Sequence, residues 1–275
     1  MPIFHRHDGA LVRDVPATRR IMPFLMRTKA SAVVYFEQTI DVTRVKPLLD
    51  SAPRSETGKL SIFHLFSYAV VKTLAERPRL NRFVSGPEIY QRNKIELSFA
   101  AKKGMSDDEP VAVVKRAFDP AASFDEHTRR LSGGIAEGRS RERSGTDKEL
   151  SFFLALPGFL LRWLVSLALW LDAQNLLPAA LIADDPLYTS LFITNLGSVG
   201  LDAAYHHLYD WGNCPIFAAL GKVSEKMVNG ERRLLCVVRY TFDERIEDGL
   251  YCARALGRVR ELVEGWEPAI EARAA

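Results

Sequence analysis

The stretch from residue 216 to residue 249 constrains the fold of this chain most strongly. Residues 216–228 and 232–242 are two strand-like runs that flank Asn229-Gly230. An Asn-Gly pair between two such runs is typical of a β-hairpin with a tight turn. After Asp248-Gly249, apolar residues recur at helical spacing along one face up to residue 263. The sequence therefore predicts a hairpin whose second strand leads through a short turn into a closing helix.

The turn between this strand and this helix is crowded with acids. Asp243, Glu244 and Glu247 lie within five residues of Asp248. Carboxylates this close raise each other's pKa if they are buried together. Two interpretations stay open at this point: a solvated turn, which is the common case, or a set of acids held in place for a purpose.

The rest of the chain predicts strands and helices that do not alternate strictly. Residues 31–42 and 188–194 are strand-like, and short strands are predicted at residues 82–85, 88–91, 94–103 and 111–117. Residues 61–77 have apolar side chains on one helical face, and Pro78 ends that helix. Residues 18–26 predict a helix interrupted by Pro23, and residues 124–149 a polar helix that frays. This mixture favours an α+β fold, with a mixed or antiparallel sheet covered by helices, as one domain over residues 1–275.

An unusually apolar segment lies between residues 152 and 182. Residues 152–171 are long enough for a transmembrane helix, but Pro157 stands near their start and Arg162 in their middle. A charge at mid-bilayer is costly, so a membrane span is disfavoured. We interpret residues 150–187 as an inserted helical hairpin. Its apolar face is expected to be buried in the protein, against a partner subunit or on a membrane surface.

Composition excludes several classes of function. The chain has 37 Lys and Arg residues against 34 Asp and Glu residues, and no basic tract interleaved with aromatic residues that would indicate nucleic-acid binding. Three cysteines, Cys214, Cys236 and Cys252, have no metal-type spacing and favour a reducing compartment. The first residues lack the apolar core of a signal peptide. We therefore expect a cytoplasmic protein without a metal site.

Several ordered motifs resemble one known superfamily. The sequence Thr-Phe-Asp-Glu-Arg-Ile-Glu-Asp-Gly at residues 241–249 is similar to the active-site motif of chloramphenicol acetyltransferase and of the acyltransferase catalytic domain of 2-oxoacid dehydrogenase complexes. The signature of these proteins is His-x-x-x-Asp-Gly. Residues 192–197 resemble their Ile-Ser-Asn-Leu-Gly segment, and residues 15–20 resemble the segment that opens the catalytic domain. The resemblance spans residues 15–265, apart from the apolar segment.

The resemblance implies roles for particular residues. In the family, a His takes a proton from a thiol or hydroxyl nucleophile, and a Ser hydroxyl donates a hydrogen bond to the oxyanion. Carried over, Thr194 is the oxyanion donor, placed by the turn that begins with Asn195. The Asp and Gly of the motif are Asp248 and Gly249. The structural Asp of the family pairs with an Arg near the start of the domain, which implies that Asp248 pairs with Arg19 or Arg20.

The chain departs from the family at the catalytic position, where Glu244 replaces the His. In one interpretation Glu244 is a replacement base for an acyl transfer. In the other the standard activity is lost and the fold serves binding or assembly. His206 and His207 form a poor chelating pair because they are adjacent, and we expect a structural role for them. The functional alternative is that one of them is the missing base.

The resemblance also implies substrates and assembly. Coenzyme A or another thioester is the implied acyl donor, with no permanently bound cofactor and with an acceptor that the sequence does not identify. Members of this family are trimers with active sites between subunits, so a homotrimer is implied. Because the chain begins almost at the catalytic segment, we expect a free-standing trimer.

Overall fold

The computed structural model describes residues 5–52, 59–102, 111–140 and 154–268, with the side chains of residues 101 and 102 left aside. A six-stranded sheet dominates it, in the order β2-β9-β8-β7-β5-β6. Strand β7 pairs in parallel with β5 and β8, and the other pairs are antiparallel. The bounds of these strands are β2 Val33–Asp41, β5 Ile95–Lys102, β6 Val111–Phe118, β7 Leu191–Asn195, β8 Ile216–Val228 and β9 Glu231–Asp243.

A second, three-stranded sheet has the order β1-β4-β3 and is antiparallel throughout. Its strands are β1 Gly9–Leu11, β3 Arg82–Ser85 and β4 Glu88–Arg92. Strands β3 and β4 were predicted from the sequence and are confirmed. Strand β1 was predicted as part of an irregular lead, because three residues carry too short a pattern to detect.

The predicted hairpin is confirmed as β8 and β9. Its register places Val228 opposite Glu231, with Asn229 and Gly230 as the two turn residues. Both have positive φ, 52° and 82°. A two-residue turn with positive φ at both positions matches the right-handed twist of the strands, which explains why this dipeptide gave a strong signal.

The described part of the chain has eight α-helices, several of which cover one face of the large sheet. Their bounds are α1 Ala17–Arg20, α2 Met22–Leu25, α3 Val45–Ser51, α4 Ile62–Glu76, α5 Phe124–Ser140, α6 Gly158–Ala173, α7 Ala179–Asp184 and α8 Gly249–Glu264. Helices α4 and α8 pack on the sheet through the main hydrophobic core, which contains Phe66, Val238 and Tyr240. The predicted α+β fold, a mixed sheet covered by helices, is therefore confirmed.

Two predicted helices differ from the structure in extent. The segment around Pro23 forms two separate turns, α1 and α2, because Pro23 lacks the N–H that a continuous helix needs. Helix α5 ends at Ser140, and the rest of the predicted polar segment lies outside the described residues. The apolar residues before Leu154 also lie outside them.

The apolar segment forms helix α6, a turn at Asn175 with φ of 60°, and the short helix α7. That these helices form an insertion stays a prediction. The protomer itself does not bury α6, because Phe159 is 77% exposed and Trp163 58% exposed. None of the helices in the described ranges is long and apolar enough to cross a membrane.

The end of α6 is held to the body of the protomer by buried polar groups. Asp172 forms an ion pair of 2.9 Å with Arg6, and Arg6 also pairs with Asp8 at 2.6 Å. The Arg6 guanidinium lies over the rings of Phe83 and Tyr90 in the small sheet. This cluster anchors the last turn of the helix, while the residues before it project outward.

Candidate functional site

The acidic turn after β9 is organised by arginines, one within the turn and two from the region of the small sheet. Asp243 is buried and forms a two-point ion pair with Arg245, at 2.8 Å and 2.6 Å. Glu247 is also buried, and its carboxylate lies 3.2 Å from Arg79 and 3.8 Å from Arg82. Each of these two acids therefore has its own counter-charge, so they do not form one cluster of repelling carboxylates.

Glu244 differs from its neighbours. Its backbone N–H donates to the Ala32 carbonyl at 2.9 Å, and its own carbonyl accepts a hydrogen bond from the Arg19 guanidinium. Its half-buried carboxylate makes no hydrogen bond or ion pair with any other described residue. The backbone of Glu244 is thus fixed from both sides, and its side chain is left available for contact with a ligand or a second chain.

Asp248 begins helix α8 as its N-cap. Its carboxylate accepts a hydrogen bond of 2.9 Å from the Tyr251 N–H, and this bond lowers the pKa of Asp248 below its usual value. Gly249 is the first residue of that helix. The implied ion pair of Asp248 with Arg19 or Arg20 is not formed between these residues. Arg19 instead donates to the Glu244 carbonyl, while the Asp248 carboxylate caps the helix.

Replacing Asp248 with Ala is expected to lower the free energy of unfolding by about 1 kcal/mol, because the first turn of α8 loses its cap. Asp248→Asn is the matched control, since its amide oxygen can still accept from the Tyr251 N–H. Urea unfolding of the two variants measures this difference. Equal destabilisation by both would mean that the negative charge of Asp248, not the cap, stabilises the turn.

Thr194 lies near the end of β7, opposite Ala219 of β8. The next residue, Asn195, fixes the turn that follows, because its side-chain oxygen accepts from the Ser198 N–H at 3.2 Å. In this turn a Cβ atom on Gly197 would lie 2.6 Å from the Gly221 carbonyl oxygen, so only glycine fits there. Close packing of the backbone therefore explains Gly197, whereas the left-handed conformation of Gly200, with a φ of 80°, explains the second glycine of this loop.

A cleft of about 330 Å³ opens beside Thr194 on the face of the sheet opposite to α4 and α8. Its walls are mostly apolar, and they come from four strands (β5, β6, β7 and β8), from the turn after β7 and from the loop that precedes β8. The lining residues are Ala100, Val111, Val113, Phe192, Thr194, Leu196, Ala204, His206, Tyr209, Phe217 and Ala219. The structure thus brings Thr194 and His206, two residues singled out from the sequence, to the same cleft.

His206 is held in one orientation in this cleft. Its ring stacks on Phe217, with centroids 3.9 Å apart and planes within 5°. Its Nδ1 lies 2.6 Å from the His207 carbonyl oxygen, which can only accept, so Nδ1 carries the proton in the neutral ring. Burial lowers the pKa of His206 below 6.5, which keeps the ring neutral near pH 7. The lone pair of Nε2 is left as a proton acceptor.

His207 has a different role. Its ring is exposed and stacks on that of His206 with centroids 4.7 Å apart, while its carbonyl fixes the tautomer of His206. His207 thus orients the neighbouring ring through its backbone carbonyl, and the alternative that one of the two histidines is the missing base stays a prediction.

The loop that carries these histidines is anchored by a residue that the sequence did not single out. The buried Lys29 ammonium donates to the carbonyls of Tyr209 at 2.8 Å and Gly212 at 2.7 Å. Burial lowers the pKa of Lys29 to about 8. Arg239 adds a bond of 2.6 Å to the Ala203 carbonyl. No local pattern predicts such contacts, because Lys29 is far from the loop in sequence.

Glu244 and Thr194 lie far apart within one protomer. Thr194 is opposite Ala219, and Ala219 is opposite Arg239, so two strand spacings separate Thr194 from β9. Glu244 follows about five residues further along β9. With strand spacings near 4.8 Å and a rise of 3.3 Å per residue, the two Cα atoms are roughly 19 Å apart. One protomer therefore does not bring the Glu244 carboxylate to the Thr194 hydroxyl.

No group of three or more His, Cys, Asp or Glu residues in the described part of the chain has the geometry of a metal site. The three cysteines are buried and unpaired.

Comparison with known proteins identifies the relatives of this fold. Residues 13–117 match the family model described as 2-oxoacid dehydrogenases acyltransferase (catalytic domain). The chain is 26% identical over 240 residues to the lipoamide acyltransferase component of the branched-chain alpha-keto acid dehydrogenase complex of Bacillus subtilis (strain 168). This match covers 82% of the chain but 45% of the relative, so the chain spans less than half the length of that protein.

Solved structures share the fold at low sequence identity. A probable dihydrolipoamide acetyltransferase from Listeria monocytogenes 4b F2365 superposes with a TM-score of 0.60 and 15% identity, covering 96% of this chain and 98% of that one. A chloramphenicol acetyltransferase gives 0.59 and 12%, with 93% and 99% covered. The cubic core of a pyruvate dehydrogenase multienzyme complex gives 0.57 and 16%, with 96% and 97% covered. The chain therefore has the chloramphenicol acetyltransferase-like α+β fold, and its sequence is similar to that of acyltransferase catalytic domains of 2-oxoacid dehydrogenase complexes.

Proposed function

We propose that this protein transfers an acyl group from coenzyme A, or from another thioester, to a thiol or hydroxyl acceptor in the cleft beside Thr194. The observation that carries this proposal is the meeting of the Thr194 hydroxyl and the neutral His206 ring in one apolar cleft. The relationship to acyltransferase catalytic domains supports the same reaction class.

In the proposed reaction His206 is the general base. Its Nε2 takes the proton of the acceptor S–H or O–H as the acceptor attacks the thioester carbonyl carbon. The carbonyl oxygen becomes an oxyanion, to which the Thr194 hydroxyl donates a hydrogen bond. When the tetrahedral intermediate collapses, the carbon–sulfur bond breaks, and the imidazolium returns its proton to the leaving thiolate. The His207 carbonyl stabilises that imidazolium through its bond from Nδ1.

The lining of the cleft indicates that the cleft binds an apolar part of the substrate. None of the described residues that line it is Asp, Glu, Lys or Arg, and Phe192 and Phe217 form a stacked aromatic wall with centroids 4.9 Å apart. An apolar acyl chain or an aromatic acceptor would bury surface there without leaving a charge unpaired. We also propose a cytoplasmic location, supported by the three unpaired cysteines.

We further propose that the protein assembles as a homotrimer with sites between subunits. The roughly 19 Å between Thr194 and Glu244 in one protomer supports this, because Glu244 could approach the cleft only from a neighbouring copy. One structural neighbour is the core of a multienzyme complex, which also supports a multi-copy assembly. In this arrangement Glu244 is either a second acid–base group or a contact to the acceptor.

Replacing Thr194 with Val is expected to lower kcat for thioester consumption by about 100- to 1,000-fold, with a small change in KM, because the oxyanion loses its donor. Thr194→Ser keeps the hydroxyl and is the matched control. The measurement is release of free coenzyme A from acetyl and longer acyl thioesters, with thiol and hydroxyl acceptors.

The competing function is a binding or assembly protein without catalysis, and the Glu in place of the family His favours it. It predicts that no acyl thioester is turned over above the uncatalysed rate. Equal rates for wild type and Thr194→Val would therefore contradict the proposal that acyl transfer takes place in this cleft. Calorimetric titration with coenzyme A would then show whether the fold still binds the donor.

A further inference from the structure

A larger cavity opens at the other end of strands β5 and β6 from the cleft beside Thr194. Its volume is about 720 Å³, which is within the usual range for sites that hold drug-sized ligands. Its walls come from the end of α4, the turn between β4 and β5, the end of β6 and the first half of α5. Ile95 and Phe118 are paired in this cavity, and Ala100 and Val113 are paired in the cleft, five residues further along the strands. At 3.3 Å per residue the two sites are roughly 17 Å apart, so the cavity is a separate site.

One wall of the cavity contains a buried amide with an unused acceptor. Asn81 lines the cavity and is 5% exposed. Its Nδ2 donates to the Lys94 carbonyl at 2.9 Å, whereas its Oδ1 has no hydrogen-bond partner among the described residues. A buried amide oxygen without a donor is costly, and most such groups in folded proteins are paired. Asn81 therefore indicates a ligand that supplies a hydrogen-bond donor.

A second wall contributes another acceptor. His127 lines the cavity, and its Nε2 lies 2.8 Å from the Ser67 hydroxyl. That hydroxyl donates its one proton to the His64 carbonyl, which can only accept, so Nε2 of His127 carries the ring proton. Burial lowers the pKa of His127 to about 3, so the ring is neutral and Nδ1 keeps its lone pair. No described residue donates a hydrogen bond to this nitrogen. A ligand in the cavity therefore meets two acceptors.

Charges of both signs surround the cavity. Lys94 and Arg130 contribute cations, and Asp119 and Glu126 contribute carboxylates. The Nε of Arg130 donates to the Ala117 carbonyl, but none of the four side chains forms an ion pair with another described residue. A purely anionic ligand would meet two carboxylates, and a purely cationic ligand would meet two cations. A ligand with one charge of each sign gives both pairs a counter-charge.

Much of the remaining wall is apolar. Leu74 and Phe118 are buried and Ile95 is half-buried, and all three line the cavity. An apolar side chain of a ligand would cover these surfaces and gain free energy by leaving water. The acceptors of Asn81 and His127 meanwhile need N–H groups, which an ammonium and a peptide amide supply. The volume of the cavity suits a molecule larger than one amino acid.

We propose that this cavity binds a short zwitterionic peptide, of two or three residues with apolar side chains. Its ammonium lies on the side of Glu126, its carboxylate lies on the side of Arg130, and its N–H groups donate to Asn81 Oδ1 and His127 Nδ1. A nucleotide fits less well, because its phosphates would face the two carboxylates. The proposal goes beyond acyl transfer and does not rest on it, since no described residue that lines the cavity also lines the cleft beside Thr194.

Isothermal titration calorimetry with dileucine and trileucine tests this site. Saturable binding of one peptide per chain is expected. Acetylation of the peptide ammonium or amidation of its carboxylate is expected to weaken binding by about 3- to 10-fold, because each change removes one charge pair. Inorganic phosphate and AMP are the anionic comparisons, and neither is expected to compete with the peptide.

Substitutions in the wall of the cavity come in matched pairs. Ala75→Trp fills the cavity from an exposed position on α4 and is expected to abolish binding, whereas Ala121→Trp, exposed and outside the cavity, is not. Glu126→Gln is expected to weaken binding by about 3- to 10-fold, whereas Asp125→Asn, beside it but outside the cavity, is expected to leave the affinity unchanged. Asn81→Leu removes the unpaired acceptor and is also expected to weaken binding. Far-UV circular dichroism checks that each variant is folded.

Three results would overturn the proposal: no saturable heat with either peptide, an unchanged affinity in Ala75→Trp, or equal affinities for the peptides and their acetylated and amidated forms. Binding of phosphate or AMP that Ala75→Trp abolishes would overturn it as well, by assigning the cavity to anions. Loss of peptide binding in Thr194→Val would place the peptide in the cleft instead. Thioester turnover by these samples is recorded separately, so failure of the catalytic proposal leaves the titrations interpretable.

Discussion

Replacing His206 with Gln is expected to lower kcat for acyl transfer by about 100- to 10,000-fold, the usual contribution of a general base. The ring lines the cleft and is stacked on Phe217, its Nδ1 proton is directed to the His207 carbonyl, and Nε2 is left as an acceptor. Gln fills a similar volume but accepts a proton far too weakly to replace the imidazole. The loss should appear in kcat more than in KM, because the ring does little to hold the ground state.

The pH dependence gives this prediction a specific readout. Burial lowers the pKa of His206 below 6.5, so the neutral base is retained above that lowered value and is lost as the pH falls through it. The rate should therefore be flat above pH 6.5 and decrease at lower pH in the wild type. This acidic limb should disappear from the residual rate of His206→Gln, which a loss of structure alone would not produce.

Glu244→Gln and His207→Gln complete the comparison. His207→Gln keeps the carbonyl that orients His206, so we expect a rate close to that of the wild type. Glu244→Gln keeps the backbone bonds of residue 244 to Ala32 and Arg19, so the fold should be intact. If Glu244→Gln abolishes turnover while His206→Gln is active, the base is Glu244 from a neighbouring copy, as the position of the motif would imply.

The fold was largely predictable because its main signals are local. The Asn229-Gly230 turn and the strands on either side are specified within about 30 residues, and the pairing of β8 with β9 follows from the turn alone. Helix α8 is likewise marked by its cap, Asp248, and by its apolar spacing. Strand β1 and the split of the helix at Pro23 were missed or simplified, because short elements depend on packing with distant residues.

The site was less predictable because its geometry depends on distant residues. The acids near Glu244 are crowded in sequence, yet each buried one has its own counter-charge in the structure. Asp243 pairs with Arg245, and Glu247 lies near Arg79 and Arg82, which come from the region of the small sheet. The position of His206 depends on Lys29, which no motif marks. The apolar composition of α6 likewise predicts that its surface is buried, but composition does not indicate which residues or which chain bury it.

The second large effect concerns stability at low pH. His64 and His127 lie between α4 and α5 and are almost fully buried. The His64 ring contacts the hydroxyls of Ser61 at 2.8 Å and Ser132 at 3.1 Å, and His127 Nε2 lies 2.8 Å from the Ser67 hydroxyl. Burial lowers the pKa of His64 to about 4 and that of His127 to about 3, and the nearby His64 and Lys72 also lower the pKa of His127 by charge repulsion.

The sign of the effect follows from proton binding. In the unfolded chain both histidines take up a proton near pH 6.5, whereas in the folded chain they remain neutral until the pH is far lower. The unfolded state therefore binds more protons than the folded state as the pH falls below 6.5, and this binding stabilises the unfolded state. Each histidine should lower the free energy of unfolding by about 1.4 kcal/mol per pH unit in this range, or about 2 kcal/mol at pH 5.

Urea unfolding of the wild type at pH 7.5 and pH 5 should therefore show a loss of about 4 kcal/mol from these two residues, in addition to the contribution of other groups. His64→Gln with His127→Gln is expected to be less stable at pH 7.5, because the packing is disturbed, but to lose about 4 kcal/mol less than the wild type between the two pH values. The exposed His207→Gln is the control and should follow the wild type.

A double variant as sensitive to acid as the wild type would mean that these rings accept protons in the folded state. The interface of α4 and α5 would then have to open locally to admit water well above pH 4, since a charged imidazole between these helices has no partner but neutral hydroxyls.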